Sequence, residues 1–152
     1  MFSLKTFKKT KQNIRGCSNI INPNHRISYY KQNKKEEWFS KNKHHRIDGP
    51  AIVIHLENGQ LDKETWIVHG DYHRTTGPAV TWYWNNGLVF LQHWYFNNVN
   101  HRTDGPASIY RLEDGTLERV DWAISGKKYK QENGFYVIRY HRNGEIDNCK
   151  SR

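Results

Sequence analysis

The sequence predicts an all-β protein: an open, twisted antiparallel meander of stacked β-hairpin repeats of about 28 residues each, preceded by a basic N-terminal arm. Three observations predict it. His45-Arg46, His73-Arg74 and His101-Arg102 recur every 28 residues, and each dyad leads three residues on into Gly-Pro-Ala. The turn glycines Gly59, Gly87 and Gly115 and the tryptophans Trp38, Trp66, Trp94 and Trp122 keep the same period. Between these marks lie short runs of alternating polarity. A period of this size marks a repeat architecture, in which one unit cannot bury its apolar face alone and its neighbours supply the core.

Each unit reads as one hairpin. The outgoing runs Ala51-Ile52-Val53-Ile54-His55-Leu56, Ala79-Val80-Thr81-Trp82-Tyr83-Trp84 and Ala107-Ser108-Ile109-Tyr110-Arg111-Leu112 are mostly apolar at even positions. That is the alternation of a strand with one better-buried face. They end at Asn58-Gly59, Asn86-Gly87 and Asp114-Gly115, dipeptides that supply positive φ for a tight reversal. The return strands are expected to run unbroken over 61–68, 89–96 and 117–124, carrying Trp66, Trp94 and Trp122 at matching places. With Trp38 these form the predicted core ladder, its rungs spaced by residues of the intervening strands.

The connection between hairpins is His-Arg-x-x-Gly-Pro-Ala. Its predicted turn residues are His45, Arg46, Asp48, Gly49 and Pro50, then His73, Arg74, Gly77 and Pro78, then His101, Arg102, Asp104, Gly105 and Pro106. The glycines suit a sharp reversal, and proline, lacking an N–H, is tolerated at a strand's first residue. Asp48 and Asp104 can bond back to turn amides, and Thr76 replaces them in the middle unit.

Weaker units flank the three clear ones. Residues 25–44 make a short first unit, 45–72, 73–100 and 101–128 the clear repeats, and 129–144 a last one with Asn143-Gly144 at its turn, followed by a polar tail at 145–152. Atypical end units are what caps of a repeat array look like. His141-Arg142 falls at a hairpin end and reads as a chance recurrence. Residues 1–24 do not repeat. Lys5, Lys8, Lys9, Lys11 and Arg15, interleaved with Phe2, Leu4, Phe7 and Ile14, suit a short amphipathic helix or a disordered arm that orders on an anionic partner.

Composition agrees with a thin sheet. The 152 residues fit one domain, but only 36% are hydrophobic while 14% are aromatic, so burial rests on Trp, Tyr and Phe. Of the 24 Lys and Arg, eleven lie in residues 1–44 against only Glu36 and Glu37, which places a net charge of +9 there and leaves residues 45–152 with none. The array itself therefore has no net basic field for nucleic acid. No run of about 18 apolar residues and no continuous apolar leader is present, so the expectation is a soluble, cytoplasmic chain. Cys17 and Cys149, near opposite ends, read as free thiols.

Catalysis and metal binding are not expected. Zinc ligands sit about 2.1 Å from one ion, whereas histidines repeating once per hairpin stand roughly 10 Å apart. A site within one unit, from His69 and His73, stays open, although Asn97 and Ser125 replace His69 elsewhere. The dyad side chains are expected to bond turn carbonyls or the Asp of the motif. Paired acid–base carboxylates need separated environments, but Asp48 and Asp104 recur at periodic turns. No Gly-rich phosphate loop, Gly-x-Ser-x-Gly elbow or Cys/His nucleophile pattern occurs. The prediction is a non-enzymatic chain with no cofactor.

The heptads at 45–51, 73–79 and 101–107, each followed by x-Gly and Trp, resemble variant MORN-like repeats, which are common in proteins of bacteriophages and large DNA viruses. The resemblance covers residues 25–144. The chain departs from ordinary MORN repeats in lacking their Gly-x-Gly and Tyr-x-Gly-x-Trp spacing and in having longer units, so the lipid binding suggested for MORN proteins is not carried over. What the resemblance implies is a twisted meander serving as an interaction platform, such as a virion or virus-factory component. The sequence-level expectation is thus a structural or protein-interaction module docking a protein partner or a second copy, through a sheet edge or exposed aromatics such as Tyr83 and Tyr95. Nucleic acid bound through the basic arm ranks second, and an acidic membrane surface below it.

Overall fold

Twelve strands of one antiparallel sheet follow each other almost in chain order in the computed structural model, which describes residues 19–22, 24–128, 137–140, 143 and 145–150. The path runs from Asn19–Asn22 through five successive hairpins: His25–Tyr30 with Asn33–Ser40, Ile52–His55 with Leu61–Thr65, Val80–Tyr83 with Val89–His93, Ser108–Arg111 with Leu117–Asp121, and Val137–Tyr140 with Ile146–Lys150. The described residues contain no helix, and the sheet stays open instead of closing into a barrel. This is the hairpin meander expected from the repeat. No helix among the described residues is long and apolar enough to cross a membrane.

Two boundaries differ from expectation. Asn19–Asn22, assigned above to the arm, pairs with the first hairpin as the outermost strand. Ile146–Lys150, assigned to a polar tail, is the return strand of the last hairpin.

The long hairpins turn differently from the prediction. Gly59 N–H bonds Leu56 O at 2.9 Å and Leu56 N–H bonds Gln60 O at 2.8 Å, a three-residue loop that repeats at Gly87 and Gly115. Only the glycine has positive φ, between +84° and +85° at the three turns. The preceding Asn58, Asn86 and Asp114 instead accept a backbone N–H two residues on, at 2.9–3.0 Å. A one-residue bulge follows each turn, at Asp62, Phe90 and Glu118.

The return strands break at each tryptophan. After Trp66, Trp94 and Trp122 the chain forms a second, small hairpin: Ile67–Val68 with Asp71–Tyr72, Tyr95–Phe96 with Val99–Asn100, and Ala123–Ile124 with Lys127–Lys128. In the first unit Phe39-Ser40 pairs with Lys43–His44 in the same way. Both turn residues have positive φ in each case: Lys41 and Asn42, His69 and Gly70, Asn97 and Asn98, Ser125 and Gly126. That is the two-residue turn whose twist matches a hairpin. The small hairpins stack as a side column, Gly70 N–H on His44 O, Asn98 N–H on Tyr72 O and Gly126 N–H on Asn100 O, all within 2.9–3.0 Å.

Register puts burial on both faces of the main sheet. Ile54, Lys63, Trp82, Leu91, Tyr110 and Arg119 form one cross-strand row, in which Lys63 Nζ lies 4.3 Å from the Trp82 ring and Arg119 Cζ 4.9 Å from that of Tyr110. The row on the other face runs through Val53, Glu64, Thr81, Gln92, Ile109, Val120 and Ile138. The even outgoing positions and the tryptophans thus share no single core side. A hydrophobic cluster of Val120, Trp122 and Ile138, flanked by Ile109, Leu117 and Tyr140, fills the C-terminal end. Elsewhere the most enclosed side chains are small: Ala51, Ala79 and Ala107 are fully buried where the chain enters each outgoing strand. There the backbones crowd, with Trp66 N–H bonding Ala79 O at 2.7 Å and Ala79 N–H bonding His93 O at 2.8 Å. Ala79→Leu is therefore expected to lower stability by about 1–3 kcal/mol through overpacking, read as a lower urea midpoint, whereas Leu88→Ala at an exposed turn changes it little.

Candidate functional site

The repeated heptad folds into a compact box around its arginine. Arg46, Arg74 and Arg102 lay their guanidiniums over Trp38, Trp66 and Trp94 of the preceding unit, with Cζ 4.2, 3.9 and 4.1 Å from the ring centroids. Their backbone N–H groups bond Ile67, Tyr95 and Ala123 of their own unit. Nη1 donates to the carbonyls of Pro50, Pro78 and Pro106 at 3.5, 3.2 and 3.2 Å. In the outer two units Nε donates to Asp48 or Asp104 at 2.9 Å, and this bond holds each carboxyl below its ordinary value.

The glycine of the motif has a different cause from the one expected. Gly49, Gly77 and Gly105 do not take positive φ. A Cβ there would instead meet the Arg Cζ at 2.7, 3.2 and 2.8 Å. The glycine leaves room for the guanidinium, tightly at Gly49 and Gly105 and less so at Gly77. Within the tryptophan ladder Arg46, Arg74 and Arg102 each lie on a ring face, and His25 of the neighbouring strand stacks on Trp38 at 4.5 Å. Trp38, Trp66 and Trp94 are half-buried and Trp122 is buried.

The histidines close their own units. His45 Nδ1 accepts the His69 N–H and His101 Nδ1 the Ser125 N–H, both at 3.0 Å, so these rings carry their proton on Nε2. His73 Nδ1 lies 2.7 Å from the side-chain oxygen of Asn97, which places its proton on Nδ1. His45 and His69 stack at 4.4 Å. Among the described residues no three His, Cys, Asp or Glu side chains gather as a metal ion would need.

The middle box is incomplete. Thr76 stands where its siblings have Asp, and Arg74 Nε is buried with no acceptor among the described residues. Beside it a groove of about 710 Å³ opens between the loop holding Thr76 and the one holding Asp104, bordered by Trp94, Tyr95 and Phe96. A hollow of about 470 Å³, lined by Phe96, Val99 and His101, adjoins on the side column. Phe96 is 48% exposed, Val99 and Tyr72 39%, and Ile124 38%. This apolar exposure arises on the small hairpins, which the sequence reading did not separate from the return strands. The readable signal was the 28-residue recurrence of Asn42, Gly70, Asn98 and Gly126, residues that tolerate positive φ.

The aromatics expected on the exposed face lie deeper. Tyr83 and Tyr95 are both half-buried. Tyr83 donates its hydroxyl to Glu64 at 2.6 Å, and burial together with that carboxylate pushes its phenol pKa up. Lys5, Lys8, Lys9, Lys11 and Arg15 lie outside the described residues, as do Cys17 and the His141-Arg142 recurrence.

A serine, a histidine and an aspartate meet on neighbouring strands without having been singled out in the sequence. Ser108 Oγ lies 2.7 Å from His93 Nδ1, and Ser108 pairs across the sheet with Asp121. The order differs from a nucleophilic triad, in which the imidazole bridges hydroxyl and carboxylate. Here Arg119 takes both Asp121 oxygens, and Ser108 is buried. Burial, aided by Arg119 and opposed by Asp121, pushes the His93 pKa below its ordinary value.

These features define a β-hairpin repeat protein whose units are clamped by Arg–Trp pairs. Comparisons with protein-family models, with curated proteins and with solved structures found no match to this chain.

Three outcomes follow from the boxes and from His93. Gly105→Ala, which drives a methyl into a pinned guanidinium, is expected to cost about 1–3 kcal/mol in chemical denaturation, and Gly77→Ala less because Arg74 has no carboxylate anchor and can give. Thr76→Asp supplies the missing acceptor and raises the thermal midpoint. Because His93 binds its proton less readily folded than unfolded, the unfolded chain takes up more protons as the pH falls through 6.5, and stability drops with it. His93→Gln flattens that slope between about pH 7.5 and 5, a window above the depressed pKa values of Glu36 and Glu37.

Proposed function

We propose that this chain is a non-enzymatic structural or protein-interaction module, with the column of small hairpins as its docking face. The observation that carries this reading is the row of Phe96, Val99 and Ile124, which the register places on one face of the side column and each of which is more than a third exposed. Large aromatic and branched side chains left in water next to a groove are the usual anchors of protein interfaces. The repeat geometry adds to it, because stacked hairpins present successive small turns in a row that an extended partner can follow. The MORN-like assignment is kept as part of this proposal, with an assembly role in a viral setting as one form of it.

The test is purification of the chain from its native source, followed by size-exclusion chromatography with light scattering and mass spectrometry. A stoichiometric complex or a homo-oligomer is expected. The double variant Phe96→Glu with Val99→Glu should lose it while keeping the native thermal midpoint within a few degrees, since both side chains lie on the surface. A monodisperse monomer that retains no partner overturns the reading.

A further inference from the structure

We propose that the groove beside Thr76 is a receptor for an acidic segment of a partner protein, and that Arg74 is the residue that takes its carboxylate. This names the partner chemistry of the interaction face and rests on that reading.

The repeat supplies its own comparison. Three arginines occupy the same place, over a tryptophan, against a glycine and with Nη1 on a proline carbonyl. Two of them complete the box with an Asp carboxylate 2.9 Å from Nε. The third, Arg74, has Thr76 at that position, and its Nε is buried without an acceptor among the described residues. A buried donor on a charged group left without a partner is costly, so the position favours any acceptor that can reach it. Asp48 and Asp104 show what fits: a carboxylate approaching the Nε edge of the guanidinium.

The surroundings select the source. The groove of about 710 Å³ lies alongside this guanidinium and is bordered by both Thr76 and Phe96. Its other arginine, Arg102, is already paired with Asp104, so Arg74 is the cation there without a carboxylate among the described residues. Thr76 is exposed, so the place that Asp48 and Asp104 fill in the sibling boxes is open to an incoming acidic side chain. Residues flanking that side chain then meet the exposed Phe96 on the groove's border, which suits an Asp or Glu set among aromatic or branched neighbours. A charge-assisted bond to a planar guanidinium fixes orientation, and the apolar neighbours supply the area.

The probe is an array of pentapeptides with randomised flanks and a fixed central Asp, Glu, Asn, Lys or phosphoserine, overlaid with the full-length chain at physiological salt. The Asp and Glu sets should retain at least tenfold more protein than the Asn set. Thr76→Asp, which provides the carboxylate from within, should reduce that retention at least tenfold, while Thr76→Ala leaves it within about twofold of the native level. Because Thr76→Asp is expected to stabilise the fold, its loss of binding cannot be ascribed to unfolding. Equal retention on Asp and Asn, undiminished binding by Thr76→Asp, or stronger retention on phosphoserine than on Asp would each overturn the carboxylate receptor, the last by assigning a phosphate in its place. A native partner lost with Phe96→Glu and Val99→Glu yet indifferent to Thr76→Asp removes this inference alone and leaves the interaction module standing.

Discussion

The cohesion of the array depends on one repeated contact, the guanidinium of Arg46, Arg74 or Arg102 laid flat on the tryptophan of the unit before it. A single-layered sheet in which 36% of residues are hydrophobic cannot hold its units together by a thick core. Arginine suits the task because its planar cation stacks on an aromatic face while its edge donates hydrogen bonds in the perpendicular direction. The heptad is then accounted for residue by residue. The histidine reaches the small hairpin of its own unit, the aspartate and the proline carbonyl receive the guanidinium edge, the glycine leaves room beneath it, and the alanine passes where two backbones crowd. A lysine could not replace the arginine, having neither the plane nor the fork.

The apolar surface goes to the side column. At Trp66, Trp94 and Trp122 the return strand ends and the next residues pair with each other, while Trp38 stays within its strand. A second column of two-residue-turn hairpins results, tied by one backbone bond per unit. These hairpins bury one face, with Ile67 and Ala123 each 5% exposed, and on the other Phe96, Val99 and Ile124 stay in contact with water. The proposed interaction face is thus the outer face of this column.

Much of this was legible in one dimension. The 28-residue period, the turn glycines and the alternation of Ile52 to Leu56 and its equivalents led directly to a hairpin meander. The roles within the motif were less legible, because the same residue type serves different ends: glycine at 59, 87 and 115 supplies a left-handed backbone, whereas at 49, 77 and 105 it makes space for a side chain. Only coordinates separate a constraint on φ from one on volume. The break at Trp66, Trp94 and Trp122 was masked because tryptophan has high strand propensity, and its mark lies four residues on, in the turn residues Gly70, Asn98 and Gly126. Pairs such as Ser108 with His93 were invisible because register, not spacing, brings them together.

The sequence by itself determined the class of fold, the order of its long hairpins and the location of its net charge, because periodicity and turn chemistry are local properties that neighbouring residues express without help. The tertiary structure decided what each recurring residue does. Which face the tryptophans share, which carbonyls the arginines reach and which guanidinium lacks its carboxylate depend on strands meeting across the sheet, and a departure as small as Thr76 acquires meaning only beside Arg74.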